Sequence, residues 1–263
     1  MLEPGRLTLN AEEYHADRSA VSKSWLDRID RSPAHLKAYL DGYRPDTPAM
    51  LLGRLVHVAV LEPDLLADLF VRPPEGINRR TNAGRAEYAE WQESVAGRTL
   101  VSIDQWIQAL AIRDSVQQNR AAKALLTTGD PEQTVVWKNL ETGELCKARA
   151  DWLRENVIVD VKTTQDARPA AFAKSIANYR YDVQTSHYSE GFDLDRFVFI
   201  AVEKEPPYAC AVYAADEIIR ARGKRARDRN LQTYAECRVT GTWPGYEEVI
   251  HTIELPRWAL NGE

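Results

Sequence analysis

The stretch that most constrains this chain is residues 148–164, Ala-Arg-Ala-Asp-Trp-Leu-Arg-Glu-Asn-Val-Ile-Val-Asp-Val-Lys-Thr-Thr. Arg149–Leu153 alternates polar and apolar residues around Asp151, and a polar turn ends at Asn156. Val157–Lys162 is then a short β-branched run, the pattern of a buried strand. Two strands joined by a tight turn form a hairpin, which can set Asp151 beside Asp160. Side chains alternate faces along a strand, so Asp160 and Lys162 project to the same side. A carboxylate on a strand this apolar is costly unless it is paired or bound to metal. Two carboxylates and an ammonium on one face make a divalent-metal site with a built-in cation.

The neighbouring segments suit a sheet flanked by helices. Ser22 or Ser24 caps a helix to about Ile29, and Ser32-Pro33 opens a second one to about Leu40. A turn over 41–45 follows. Ala49–Leu61 is apolar nearly all round and reads as a buried helix. Gly53 and His57 share one of its faces, and the small residue leaves room for the imidazole. A lone histidine on such a helix is ordinarily a core residue, but beside the hairpin it reads as a metal ligand through a neutral ring nitrogen. Arg79 and Arg80 lie in a glycine-containing loop before a helix over 85–96; they either grip phosphates or sit on a solvated turn. An amphipathic helix pair covers 103–126. Glu132–Asn139 and Leu145–Leu153 read as paired strands, with Glu132 a further acid near the metal or an exposed strand end. Leu7–Asn10 is a short strand or an arm.

After the hairpin, a helix is expected over Pro169–Asn178 and another over Val183–Gly191, the latter carrying Gln184 and Tyr188 on one face. Arg196–Val202 and Ala209–Ala214 are apolar strands. A long helix runs from Asp216 to about Cys237. Between Arg220 and Arg229 it holds six basic residues against Asp228. Arg220, Lys224 and Arg227 are therefore candidates for DNA backbone contact or for a subunit interface; a solvated face is the plainer alternative.

Three elements together resemble the RecE-like exonucleases, a RecB-like branch of the PD-(D/E)XK nuclease superfamily. Asp151 followed by Asp160-Val161-Lys162 resembles the D…(D/E)-x-K core. Gly53-Arg-Leu-Val-His57 and Gln184-Thr-Ser-His-Tyr188 resemble the G-x-x-x-H and Q-x-x-x-Y motifs. The likeness runs from about Ser22 to about Tyr246. Ala150 stands where the superfamily name has proline, and Asp160 where it allows glutamate. The resemblance implies an α/β fold with a restriction-endonuclease-like core, a central mixed sheet of about five strands flanked by helices. One domain over 1–263 is expected, with a helical N-terminal part (1–47), a sheet core (129–214) and a basic C-terminal helix and tail (215–263).

Phosphodiester hydrolysis needs an activated water and charge neutralisation on phosphate, which hard cations held by carboxylates supply. The expected ligands are Asp151, Asp160, His57 and the Val161 backbone carbonyl, with Glu132 as an outer candidate. Lys162 would stabilise the nucleophile and the developing charge. The resemblance adds Gln184 and Tyr188 as groups that position the phosphate or the displaced strand. Mg²⁺ is the expected cofactor, with Mn²⁺ able to substitute. Three dispersed cysteines fit a reducing cytoplasm and cannot by themselves hold an iron–sulfur cluster.

The resemblance further implies exonucleolytic degradation of linear double-stranded DNA, 5′→3′ in the branch it resembles, leaving a single strand for a RecT-like annealing protein. It also implies a ring-shaped homo-oligomer. A formal net charge of −5 argues mildly against DNA binding unless positive charge is concentrated locally. No apolar run is long enough to span a membrane, and no signal peptide is expected. A structure-selective endonuclease on the same core and a non-catalytic DNA-binding protein are the alternatives.

Overall fold

The computed structural model describes residues 2–43 and 47–255. A six-stranded mixed sheet has the order β1-β4-β5-β6-β7-β8. Its strands are β1 (Gly5–Leu7), β4 (Asp130–Lys138), β5 (Leu145–Arg154), β6 (Val157–Thr164), β7 (Phe197–Glu203) and β8 (Cys210–Ala214). Only β6 and β7 run parallel; the other neighbours are antiparallel. The α/β class and the mixed, helix-flanked sheet are as expected. The sixth strand is β1, which sits two residues earlier than the expected 7–10 segment and pairs with β4. A minor parallel pair, β2 (Phe70–Val71) and β3 (Thr99–Leu100), forms beside the sheet and had no sequence signal.

Helices α1 (Ala11–Ala16), α2 (Lys23–Arg31), α3 (Pro33–Leu40) and α4 (Pro48–Leu61) precede β2, with a short α5 (Leu66–Leu69) leading into it. Helices α6 (Asn82–Ser94), α7 (Ile103–Gln118) and α8 (Arg120–Leu125) follow. After β6 come α9 (Pro169–Asn178) and α10 (Tyr181–Phe192), and α11 (Glu217–Thr240) closes the fold. Capping chemistry sets several boundaries. Ser32 accepts the His35 amide with Pro33 in the first turn, and Thr47 does the same for Met50 before Pro48. Thr81 caps α6, so that helix begins earlier than the expected Arg85. The expected 41–45 turn and the end of the C-terminal tail lie partly outside the described residues.

Two apolar layers sandwich the sheet. On one face Leu55, Val56 and Ala59 of α4 and Ile112 and Val116 of α7 pack on Val159, Val161 and Ile200. On the other, Phe172 and Ile176 of α9 and Phe192 of α10 pack on Ile158, Phe197 and Phe199. Each fully buried side chain of this size stabilises by roughly 1.5–3 kcal/mol. With both faces covered, β6 reads as a continuous apolar run, and its polar interruptions are correspondingly costly.

Helix α11 lies directly against α10. A Cβ at Gly223 would overlap the Asp182 backbone, so only glycine lets the two helices approach this closely. Most of the basic residues of α11 are paired with nearby carboxylates. Arg220 pairs with Asp195, Arg222 with Asp182, Lys224 with Asp228, and Arg229 with Asp30. Arg227 is 4% exposed, pairs with Glu190 and Asp228, and donates to the Ser186 carbonyl. The expectation that Arg227 contacts DNA is therefore corrected: it is a buried tie between α11 and α10. Arg220 and Lys224 likewise spend their charge on neighbouring carboxylates.

Candidate active site

The site forms where the sheet ladder opens. The β5–β6 register pairs Arg154 with Val157, Leu153 with Ile158 and Trp152 with Val159; one step further sets Asp151 opposite Asp160. The β4–β5 register pairs Pro131 with Trp152 and Gln133 with Ala150, which sets Glu132 opposite Asp151. Three acids thus stand in one row across three adjacent strands, and the ladder pairs neither couple. Glu132 adopts a left-handed φ of 53°, an unfavourable conformation for a residue with a Cβ. The side-chain phase of β5 slips at the same point. Ala148 and Ala150 pack on the α9/α10 side, Trp152 packs on the α4 side, and Leu153 returns to the first.

Asp151 fills the opening. Its Oδ2 accepts the Val161 amide at 2.8 Å and lies 3.7 Å from His57 Nδ1. The other nitrogen of His57, Nε2, is 2.9 Å from the Val161 carbonyl. A carbonyl can only accept, so Nε2 carries the hydrogen and Nδ1 presents its lone pair towards the acids. Ligand atoms of His57, Glu132 and Asp151 lie within 4.8 Å of one another. Metal-binding histidines commonly donate their second nitrogen to a carbonyl in this way. Val161 O, expected as a ligand, is instead the group that orients His57.

Asp160 was also expected among the ligands, but it lies outside that group. It is fully buried; Lys162 Nζ is 2.5 Å from its Oδ2 and the Gln184 amide donates to Oδ1. Gln184 thereby ties α10 to β6. Tyr188, one turn on, lines the cleft with Asp151 and Glu132.

The electrostatics of the cluster are those of a site short of positive charge. Burial and the neighbouring Asp160 push the Asp151 carboxyl well above the usual range. Burial and Asp151 raise Glu132 as well, although Arg149 Nε sits 2.6 Å from it. Burial acts to lower Lys162, but Asp160 and Asp151 outweigh it and hold the ammonium at about 12. Burial and Lys162 lower His57, keeping the imidazole neutral. Burial raises the Tyr188 phenol, which stays protonated. Clustered carboxylates that resist ionising together, beside a neutral imidazole with a free lone pair, are a donor set that fits a hard divalent cation.

A cleft of ≈ 400 Å³ surrounds the cluster, walled by α1 (Tyr14, His15) and by the β2–β3 pair (Phe70, Thr99). Lys147 and Arg149 of β5 strap the N-terminal segment down, donating to the carbonyls of Tyr14 and Asp17 and of Leu9 respectively. Sequence reasoning missed Tyr14 and Arg149. Alternation could have flagged Arg149, two residues before Asp151; Tyr14 carries no local signal. Arg79 and Arg80 stand on the turn before α6, outside this cleft, with Arg79 stacked 4.1 Å over Tyr88.

The sequence from residue 22 to 256 matches the family model described as "PDDEXK-like domain of unknown function (DUF3799)". The chain belongs to that family. No curated protein matches it. Among solved structures it is similar to one from Eubacterium rectale bearing the name "Putative exonuclease", with a TM-score of 0.63 at 13% identity over 97% of this chain and 98% of the other. A phage-related exonuclease from Haemophilus somnus 129PT aligns at a TM-score of 0.39 and 14% identity, over 86% and 98% of the two chains. At these identities the first likeness shows the fold: this PDDEXK-like chain carries the nuclease-superfamily architecture. Among the described residues, no helix is long and apolar enough to cross a membrane.

Proposed function

We propose that this protein is a metal-dependent exodeoxyribonuclease that degrades linear duplex DNA from its ends, with 5′→3′ polarity, and leaves a single strand for an annealing partner. The observation that carries the reading is the acidic row Glu132–Asp151–Asp160 with Lys162 on Asp160 and His57 on Asp151. Glu132, Asp151 and His57 Nδ1 would hold Mg²⁺ or Mn²⁺, which supplies Lewis-acid charge to a phosphodiester when bound.

The chain's own residues do the remaining work. Lys162 is a fixed ammonium beside Asp160, able to stabilise negative charge at the attacking oxygen and on the phosphoryl group without itself losing a proton. Gln184 holds Asp160 so that this ion pair keeps its direction. The protonated Tyr188 phenol can donate to a phosphate oxygen. Arg149 balances Glu132 and keeps it on the cleft wall. End-directed action, polarity and the annealing partner follow from the resemblance to RecE-like enzymes.

The test uses 5′-labelled and 3′-labelled linear duplex beside a covalently closed circle, each with Mg²⁺ or EDTA. The reading expects loss of linear DNA alone, in Mg²⁺ alone, with the 5′ label released first. Cutting of the circle would replace it with an endonuclease; binding without cleavage in any divalent metal would remove the enzyme assignment.

A further inference from the structure

A second, separate cleft of ≈ 470 Å³ is lined by Met50, Thr164, Ser175, Tyr179, Tyr181 and Lys204 among others. The same two helices flank both clefts. Met50 of α4 and Tyr181 of α10 line the second, whereas His57 and Tyr188, each seven residues on, line the first. Seven residues advance a helix by about 10 Å at ~1.5 Å each, close to three base steps of ~3.4 Å. Lys162 is the link: its Nζ is 2.5 Å from Asp160 and 5.0 Å from the Tyr181 ring centre.

The second cleft presents an aromatic pair. Tyr179 is 62% exposed, and its ring centre lies 5.7 Å from that of Tyr181 at an interplanar angle of 31°. The turn that carries the pair is fixed. Arg180, between the two tyrosines, takes a left-handed φ of 55°. Its guanidinium pairs with Asp30 and lies 3.6 Å from Asp182. Lys23 donates to the Tyr179 carbonyl at 3.0 Å. Such pinning keeps a large exposed ring in one place, where a solvated loop would let it swing. At the rim, the Lys204 ammonium pairs with no carboxylate among the described residues, and the Ser175 hydroxyl offers a hydrogen bond.

An exposed, immobilised aromatic face beside an uncommitted cation, one helical span from a phosphodiester-cleaving cluster, has the chemistry of a base-stacking platform. We propose that this cleft binds an unpaired nucleobase of the strand being cut, stacked on Tyr179 against Tyr181, with its phosphate at Lys204. The inference rests on the nuclease reading and adds where the strand lies. A paired base has both faces covered by its neighbours, so the platform selects DNA whose end has opened. Every base has a π-face, so occupancy tolerates sequence.

The test is binding of a single-stranded oligonucleotide bearing 2-aminopurine, in EDTA, where hydrolysis plays no part. The probe's fluorescence falls when it stacks. Wild type and Tyr179→Phe are expected to quench it with similar affinity. Tyr179→Ala, a change at an exposed side chain, is expected to abolish the quench and weaken binding about tenfold. Lys204→Ala is expected to weaken binding while keeping the quench. Equal quench and affinity in wild type and Tyr179→Ala would overturn the platform. A wild type that binds and quenches but never cleaves would remove the nuclease reading and leave the base site standing, so the two failures are distinct.

Discussion

Asp151 Oδ2 accepts the Val161 amide hydrogen at 2.8 Å, so a side chain bridges the hairpin beyond the last β5–β6 backbone pair, Trp152 with Val159. The bond locks the carboxylate in the opened ladder while Asp160 and Glu132 stand in the same row. The position is optimised for holding charge at the expense of stability.

Asp151→Asn therefore separates the two. In EDTA the variant loses the buried like-charge opposition but retains a carbonyl oxygen for the Val161 amide. It is expected to melt higher, by about 2–4 °C for each ~1 kcal/mol gained at this chain length. DNA hydrolysis is expected to drop by about 10³-fold. Calorimetric melting and a nuclease assay on the same preparation check both directions.

Divalent metal should stabilise the folded state by mass action. At a concentration 100 times its Kd, a ligand that binds only the native chain adds about 2.7 kcal/mol. Mn²⁺ is expected to raise the wild-type Tm. Glu132→Gln and His57→Ala are expected to remove most of that rise. An equal rise in all three proteins would place the ion elsewhere.

Gly223→Ala probes the contact between α10 and α11. The added methyl would overlap the Asp182 backbone, which must move. Overpacking of this kind costs about 1–3 kcal/mol, read as a lower midpoint in urea. Because Gln184 and Tyr188 ride on α10, hydrolysis should fall too, although Gly223 itself lies outside the cleft.

His187 provides a pH test. It is fully buried against Trp137, with Nε2 3.1 Å from the Lys147 carbonyl. Burial, reinforced by Arg227, lowers its pKa from 6.5 to about 4. The unfolded chain protonates first on acidification. Its contribution is thus complete above pH 6.5 and is lost as pH falls from 6.5 to 4, by at most about 3 kcal/mol. Asp151 acts oppositely, since its raised pKa favours the folded form at lower pH. The quantity to measure is therefore the difference between wild type and His187→Gln in urea unfolding from pH 7.5 to 4.5; that difference should shrink on acidification.

Local pattern made the hairpin, α4 and the two helices after β6 legible, because β-branched runs, capping residues and proline positions act over a few residues. Asp160 and Lys162 sharing a face followed from strand alternation alone. What the sequence concealed were relationships between strands distant in the chain. Glu132 faces Asp151 through the β4–β5 register and a left-handed backbone, and neither property is written in residues 130–138. The basic stretch of α11 misled for a related reason. Its density is local, whereas Asp30, Asp182, Asp195 and Glu190, which neutralise most of it, come from other elements. Val161 O was expected to hold the metal because the strand pattern gives its position but not that His57 reaches it first.

Under the proposed function, Asp160, held between Lys162 and Gln184, belongs to a metal-dependent hydrolytic site. The most direct measurement is the single-turnover rate of linear duplex hydrolysis by wild type and Asp160→Asn, each in Mg²⁺ and in EDTA, with circular dichroism confirming that both are folded. The expected result is rapid hydrolysis by wild type in Mg²⁺, none in EDTA, and a folded variant slower by about 10³-fold. A folded Asp160→Asn that cleaves at the wild-type rate, or a wild type indifferent to EDTA, would contradict it.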